Sequence, residues 1–171
     1  MKQYTIVYAC RCGIHPTART PIVLIGRKKK DWQQHKINLP GGSLEEGEDP
    51  VAGGIRELRE ETGLHADPKR SFKVGEIRGA TYVVHVIVAK YPSFRDGQFQ
   101  QPKCIEFEEG AIFKQVWGDL RDRPELISNL KLIIPLCRAE VRGWVLYDLD
   151  TITTESNAWK FSFEPEYANA T

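Results

Sequence analysis

Residues 42–64 hold seven acids, Glu45, Glu46, Glu48, Asp49, Glu57, Glu60 and Glu61, against two bases, Arg56 and Arg59. In a helix turning about 100° per residue, Glu57, Glu60 and Glu61 fall within roughly one 100° arc, beside an apolar arc of Val51, Ile55, Leu58 and Thr62. Carboxylates at this spacing repel by a few tenths of a kcal/mol per pair, and by more when partly desolvated, so they call for a cation. Arg56 lies four residues before Glu60 and can hold a carboxylate in its forked geometry, but one guanidinium does not neutralise three acids. A hard divalent cation does. Magnesium, or manganese in its place, takes oxygen ligands and keeps several waters, which leaves positions for phosphate oxygens and an activated water. Zinc wants imidazole or thiolate, and this helix offers neither. The turn Pro40-Gly41-Gly42 lets a backbone carbonyl, that of Gly41, approach the same ion.

The elements that must position these groups are legible at different strengths. Asp49 is a suitable N-cap, Pro50 suits the first helical position and Gly63 suits the position past the end, which predicts a helix near residues 50–62. Before it, Lys36 to Leu39 is a short extended piece. Thr5 to Cys10 and Pro21 to Ile25, rich in β-branched and aromatic residues, predict two strands forming an opening hairpin. Phe72 to Arg78 and Tyr82 to Tyr91 predict two more, the second almost continuously apolar and therefore central in a sheet. Pro92 to about Lys103 is a long loop, a candidate for contacting substrate. Ile105 to Val116 supplies one or two short strands. Pro124 to Arg142 has helical apolar spacing, with Pro135 placed to kink it. Trp144 to Thr171 is expected as an edge strand or a tail, a C-terminal extension of a single domain spanning 1–171.

Composition narrows the function classes. The chain has 171 residues, 41% hydrophobic and 27% charged, enough for one core and too few for two. A formal net charge of +1 gives no global field toward nucleic acid or an anionic membrane. The longest apolar stretches, such as Thr81 to Ala89, are too short to span a bilayer, and the N-terminus lacks the pattern of a signal peptide. A cytoplasmic location follows as the expectation. Cys10, Cys12, Cys104 and Cys137 are expected as reduced thiols, and Cys10, Cys12 and His15 lack the second close pair that a structural zinc site needs.

The segment Gly42 to Leu64 resembles the signature box of the Nudix hydrolases. Its pattern is Gly, five free positions, Glu, seven free, Arg-Glu, an aliphatic, one free, Glu-Glu, one free, Gly and an aliphatic. Here Gly42, Glu48, Arg56, Glu57, Leu58, Glu60, Glu61, Gly63 and Leu64 fill every defined position. The resemblance implies an α/β fold, an α/β/α sandwich with a mixed central sheet. It also implies a magnesium-dependent, MutT-like hydrolase that cleaves the pyrophosphate linkage of a nucleoside diphosphate derivative. Carried over by position, Glu57, Glu60 and Glu61 ligate metal or, in one case, act as base. Arg56 orients them, Glu48 supports the loop–helix geometry and Gly41 offers its carbonyl. Some members take the base from a later loop, and Glu106, Glu108 and Glu109 are candidates for that role or for a solvated acidic turn. Gly53 and Gly54 stand where alanine is common in the family. Each glycine weakens a helix by about 1 kcal/mol, unless close packing against a strand requires it.

For substrate, a (deoxy)nucleoside triphosphate or modified nucleotide comes first, then ADP-ribose or a nucleotide sugar. Asn38 resembles a position that reads the base in nucleotide-sanitising members, and its amide can pair with a purine edge; a turn residue flanking a strand is the alternative. Trp32, Tyr82, Phe94 and Phe99 are candidates for base stacking or for core and rim. The basic run Arg27 to Lys30 is either a solvated turn or an anion-steering patch, and it would grip the chain if the substrate were an RNA 5′ end. A catalytically inactive nucleotide-sensing module is the rival from another class. A second copy of the chain is a candidate partner.

Overall fold

The structure, a computed structural model, describes residues 1–14, 19–27, 34–102, 106–107, 110–148 and 159–163. Residues 5–10 are buried without interruption, which requires cover on both faces of their strand. That strand, β1 (Lys2–Arg11), therefore does not form the expected hairpin with β2 (Pro21–Arg27). It pairs in parallel with β5 (Tyr82–Tyr91), from Lys2 opposite Tyr82 to Arg11 opposite Tyr91. β5 is central, as its apolar run predicts, with β4 (Phe72–Arg78) antiparallel on its other edge. β10 (Trp144–Asp148) continues the sheet parallel to β4, and β11 (Trp159–Phe163) closes it. β2 instead lies in a second sheet, between β3 (Ile37–Asn38) and β9 (Gly110–Val116), with β8 (Glu106–Phe107) beyond β9.

Alternation along these strands divides the core. Ile6, Tyr8 and Cys10 of β1 and Ile22 and Leu24 of β2 pack with Leu130, Ile133, Ile134 and Cys137 of helix α3 (Leu130–Arg138). Val7, Ala9, Val23 and Ile25 point the other way, to Leu58 and Leu64 at helix α1 (Pro50–Thr62). The result is the expected sandwich of helix, mixed sheet and helix. A short helix α2 (Trp117–Leu120) follows β9 and buries Leu120.

The α1 boundaries match the capping signals. Asp49 Oδ1 accepts the Val51 and Ala52 N–H groups at 2.9 and 3.0 Å, and Gly63 closes the helix with φ 72°. Gly53 and Gly54 have the packing reason that their place in a helix demands. A Cβ at Gly53 would lie 2.2 Å from Leu44 Cδ2, and one at Gly54 3.0 Å from both Ile87 Cγ1 and Thr5 Oγ1.

Three further expectations change. α3 is shorter than residues 124–142, because Leu126 bridges in parallel to Ile37 and is spent on the second sheet rather than on a helix; Pro135 lies inside α3. The long loop after β5 contains a hairpin, β6 (Phe94–Arg95) and β7 (Gln98–Phe99). Asp96 and Gly97 at its tip both have positive φ, the backbone that a tight two-residue turn needs. Trp144, expected at an edge or in a tail, starts an inner strand and is 1% exposed. Its ring covers Gly75 of β4, where a Cβ would meet the indole at 2.2 Å. The Gly75→Ala substitution is therefore expected to lower stability by about 1–3 kcal/mol, as overpacking does. Urea denaturation measures this, and an unchanged midpoint would show that the indole gives way freely.

Candidate active site

Residues 40–44 run along the outer edge of β1. The Thr5 N–H donates to the Gly42 carbonyl at 2.9 Å, Val7 N–H to Pro40 at 2.8 Å and Leu44 N–H to the Gln3 carbonyl at 3.0 Å. At Gly41, φ is 151° and a Cβ would lie 2.1 Å from the Thr5 carbonyl oxygen, so only glycine permits this approach. At Gly42 a Cβ would meet the Glu57 carboxylate at 2.5–2.6 Å. The second glycine thus makes the space that Glu57 occupies. Glu61, one turn further along α1, accepts the Gly41 N–H through Oε2 at 2.8 Å. Two carboxylates of α1 therefore lie against the Gly41–Gly42 turn.

Arg56 ties this helix to the loop that precedes it. Its Nε donates to Glu48 Oε1 and its Nη2 to Glu48 Oε2, both at 2.9 Å, and Nη2 also reaches the Ser43 carbonyl at 3.1 Å. Nη1 donates to Glu57 Oε1 at 2.9 Å and to Glu60 Oε2 at 3.1 Å. The five N–H donors of the guanidinium are all engaged. Helical spacing directs its fork to Glu60; the structure directs it to Glu48, with Glu57 and Glu60 sharing the remaining nitrogen. The Arg56 fork and the Glu45 N–H lower the Glu48 pKa to about 2.

Glu57, Glu60 and Glu61 are therefore not gathered around one point. Among the described residues, no three His, Cys, Asp or Glu side chains stand ready as a metal cage. The donor chemistry nevertheless fits a hard dication. Each of the three side chains offers carboxylate oxygens, the Gly41 carbonyl belongs to the same turn, and Glu48, Glu57 and Glu60 share a single positive charge. The Glu60 side chain is half exposed, whereas the Glu57 side chain is only 15% exposed.

The other expected residues are more dispersed. Asn38 lies on β3, and its Oδ1 accepts the Leu39 N–H at 2.8 Å, as a residue flanking a strand does. Arg27 ends β2 opposite Gly110, and Glu106 opens β8. Residues 28–30, Trp32, Glu108 and Glu109 lie outside the described residues. Tyr82 OH donates to Asp148 across the sheet. Phe94 and Phe99 form an edge-to-face pair at 5.3 Å on the surface hairpin, with Arg11 stacked on Phe99. Two contributors were missed from the sequence: the Ser43 carbonyl, which carries no side-chain signal, and the Thr5 carbonyl that fits against Gly41. The doubled glycine after Pro40 was the available sign of that close approach.

The NUDIX domain family model matches residues 12–165. This chain belongs to the Nudix family. A methanol dehydrogenase activator from Bacillus methanolicus is 34% identical over 77 residues, 43% of this chain and 41% of that protein; the aligned part spans less than half of either. Among solved structures, a MutT protein from Bacillus halodurans superposes with a TM-score of 0.63 at 14% identity, covering 95% of this chain and 98% of that one. The Nudix domain of NrtR from Shewanella oneidensis, solved with ADP ribose, has a TM-score of 0.58 at 15% identity, covering 80% and 84%. At such identities the structural likeness shows the Nudix fold. Among the described residues, no helix of the Nudix chain is long and apolar enough to cross a membrane.

The Glu48–Arg56 fork makes a pH prediction. The folded pKa of Glu48 lies below its unfolded value, so its stabilisation is present above about pH 4.5 and is lost as pH falls toward 2. Urea midpoints measured between pH 6 and pH 2 should fall less steeply in Glu48→Gln than in the native chain. Part of the slope should remain, because His85, Lys73 and Arg78 also hold the Glu76 carboxyl far below the usual range. Identical slopes would contradict the fork.

Proposed function

We propose that this Nudix chain is a magnesium-dependent hydrolase of the pyrophosphate linkage in a nucleoside diphosphate derivative, a (deoxy)nucleoside triphosphate or modified nucleotide being the first candidate. The observation that carries the reading is the placement of the Glu57 and Glu61 carboxylates against the Gly41–Gly42 turn, Glu57 at Gly42 and Glu61 on the Gly41 N–H. Glu57, Glu60, Glu61 and the Gly41 carbonyl are the groups that would hold the ion, with manganese able to replace magnesium. Such an ion, when bound, lowers the pKa of a coordinated water and offsets charge on phosphate oxygens. Water attacks one phosphorus of the anhydride, a new P–O bond forms, and the bridging P–O bond breaks to release a nucleoside monophosphate and either pyrophosphate, from a triphosphate, or a phosphorylated group. One of the α1 carboxylates takes the proton from the attacking water. Arg56 keeps Glu57 and Glu60 beside the site and holds the Glu45–Asp49 loop through Glu48. Asn38 and Arg27 are the proposed contacts to the rest of the substrate.

One observation favours the rival, a nucleotide-binding module without turnover: Glu57 and Glu60 already have a cationic partner in Arg56. Release of a nucleoside monophosphate from a panel of nucleoside triphosphates, ADP-ribose and nucleotide sugars, and of pyrophosphate from a 5′-triphosphorylated RNA, each with and without magnesium, separates the two. ADP-ribose belongs on it because the Shewanella oneidensis domain was solved with that ligand. Magnesium-dependent release from one of them is expected, whereas tight binding without release from any would support the module. RNA as the substrate would show affinity falling steeply with salt.

Substituting Glu60→Gln or Glu61→Gln should lower kcat by about 100-fold or more. Stability should change by less than about 1 kcal/mol, since an amide oxygen at 61 still accepts the Gly41 N–H. Unchanged turnover in both variants would contradict the assignment.

A further inference from the structure

On the flank of α1 away from the acids lies an open groove of about 820 Å³. Taking Ile55 as zero and 100° per residue, Val51, Ala52, Ile55 and Arg59 fall between about −40° and 60°, Glu57, Glu60 and Glu61 between about 140° and 240°, and Arg56 at about 100°, between them. Val51, Ile55, Ala66, Pro68 and Pro92 give the groove an apolar lining. Its far wall is fixed by Gln100, 9% exposed, which accepts the His65 N–H at 2.9 Å and donates to the Pro92 carbonyl at 3.0 Å, fastening the β6–β7 hairpin to the chain after α1.

The charges in the groove are unequally engaged. Asp49 is occupied capping α1, and Asp67 accepts the Lys69 N–H and faces Arg70. Arg56 has its five donors in use. Arg59 is exposed, and no described residue pairs with it. Among the described residues, Arg95 pairs only with the largely exposed Asp96, at 3.5 Å. His65 also lines the groove.

We propose that this groove is a second binding site, for a small organic phosphate: Arg59 and Arg95, with His65, take the phosphate, and the apolar lining takes the organic part. Its volume falls within the roughly 300–1,000 Å³ usual for small-molecule sites. Arg59 is about 100° round α1 from Glu60 and about 160° from Glu57 and Glu61, so the site is distinct from the acidic ridge, goes beyond the hydrolytic reading and does not depend on it.

The test is calorimetric titration of the full chain in EDTA at low salt with AMP, with inorganic phosphate and with an oligoglutamate peptide as separate probes. AMP is expected to bind the native chain and Glu61→Gln alike, and to bind Arg59→Glu/Arg95→Glu at least about tenfold more weakly. Arg59→Gln/Arg95→Gln, which keeps the fold if the charge reversal does not, should weaken AMP in the same direction. No AMP binding to the native chain, or equal binding in both double variants, would overturn the proposal. Inorganic phosphate binding as tightly as AMP would overturn the role of the apolar lining. Oligoglutamate bound through the same arginines while AMP is not would replace the organic phosphate with an acidic peptide. These outcomes are read without metal or turnover, so failure of the hydrolase assignment leaves them unaffected.

Discussion

The five N–H donors of Arg56 are the constraint on which the site depends. A planar guanidinium cannot choose its partners one at a time. Satisfying Nε and Nη2 on Glu48 fixes the plane, and the plane then decides that Nη1 faces Glu57 and Glu60. Through this one group the loop before α1, the first turns of the helix and the acidic ridge become a single unit. Lysine could neutralise the same charge without imposing the same geometry. Three carboxylates, Glu48, Glu57 and Glu60, thus share the one positive charge of Arg56, and Glu61 stands beside Gly41. On the proposed mechanism, Glu57 and Glu60 would hold the ion with Glu61 and the Gly41 carbonyl, and the fork from Arg56 to Glu48 keeps the loop and helix together.

The second constraint is backbone proximity. The Pro40–Leu44 segment pairs with the outer edge of β1, and both Gly41 and Gly42 stand where a side chain would collide, one with the Thr5 carbonyl and the other with the Glu57 carboxylate. β1 is in turn held by its ten-residue parallel pairing with β5. The position of the candidate ligands thus traces back to a strand buried on both faces, and Gly54 brings α1 down onto that strand. A helix of higher propensity, with alanine at 53 and 54, would stand farther from β1 and carry its carboxylates away from the turn.

What was legible in the sequence was local. Asp49, Pro50 and Gly63 set the limits of α1, and the apolar run of β5 marked an inner strand, because capping and periodicity act within a few residues. The Nudix box named the acids for the same reason. Pairing was not legible. Nothing near Thr5 to Cys10 shows that their partner is β5 rather than β2, and nothing in Trp144 shows that a glycine in β4 lies beneath its ring. The fork from Arg56 to Glu48 crosses a loop, so helical spacing pointed to Glu60 instead. The shorter α3 has a similar cause, since Leu126 satisfied a helical period yet serves the second sheet. The Asp96–Gly97 pair is a turn signal in the sequence itself, and the hairpin it closes is hidden only by the length of the segment around it.

The most direct test of the central claim, that the α1 carboxylates and the Gly41–Gly42 turn hold a hard dication, is manganese binding by the full chain, followed as loss of the free-ion electron paramagnetic resonance signal. Saturable binding that magnesium displaces is expected, weakened by about tenfold or more in each of Glu57→Gln and Glu61→Gln. A free-ion signal that is the same with and without protein, or that is equally depleted by both variants and the native chain, would contradict it.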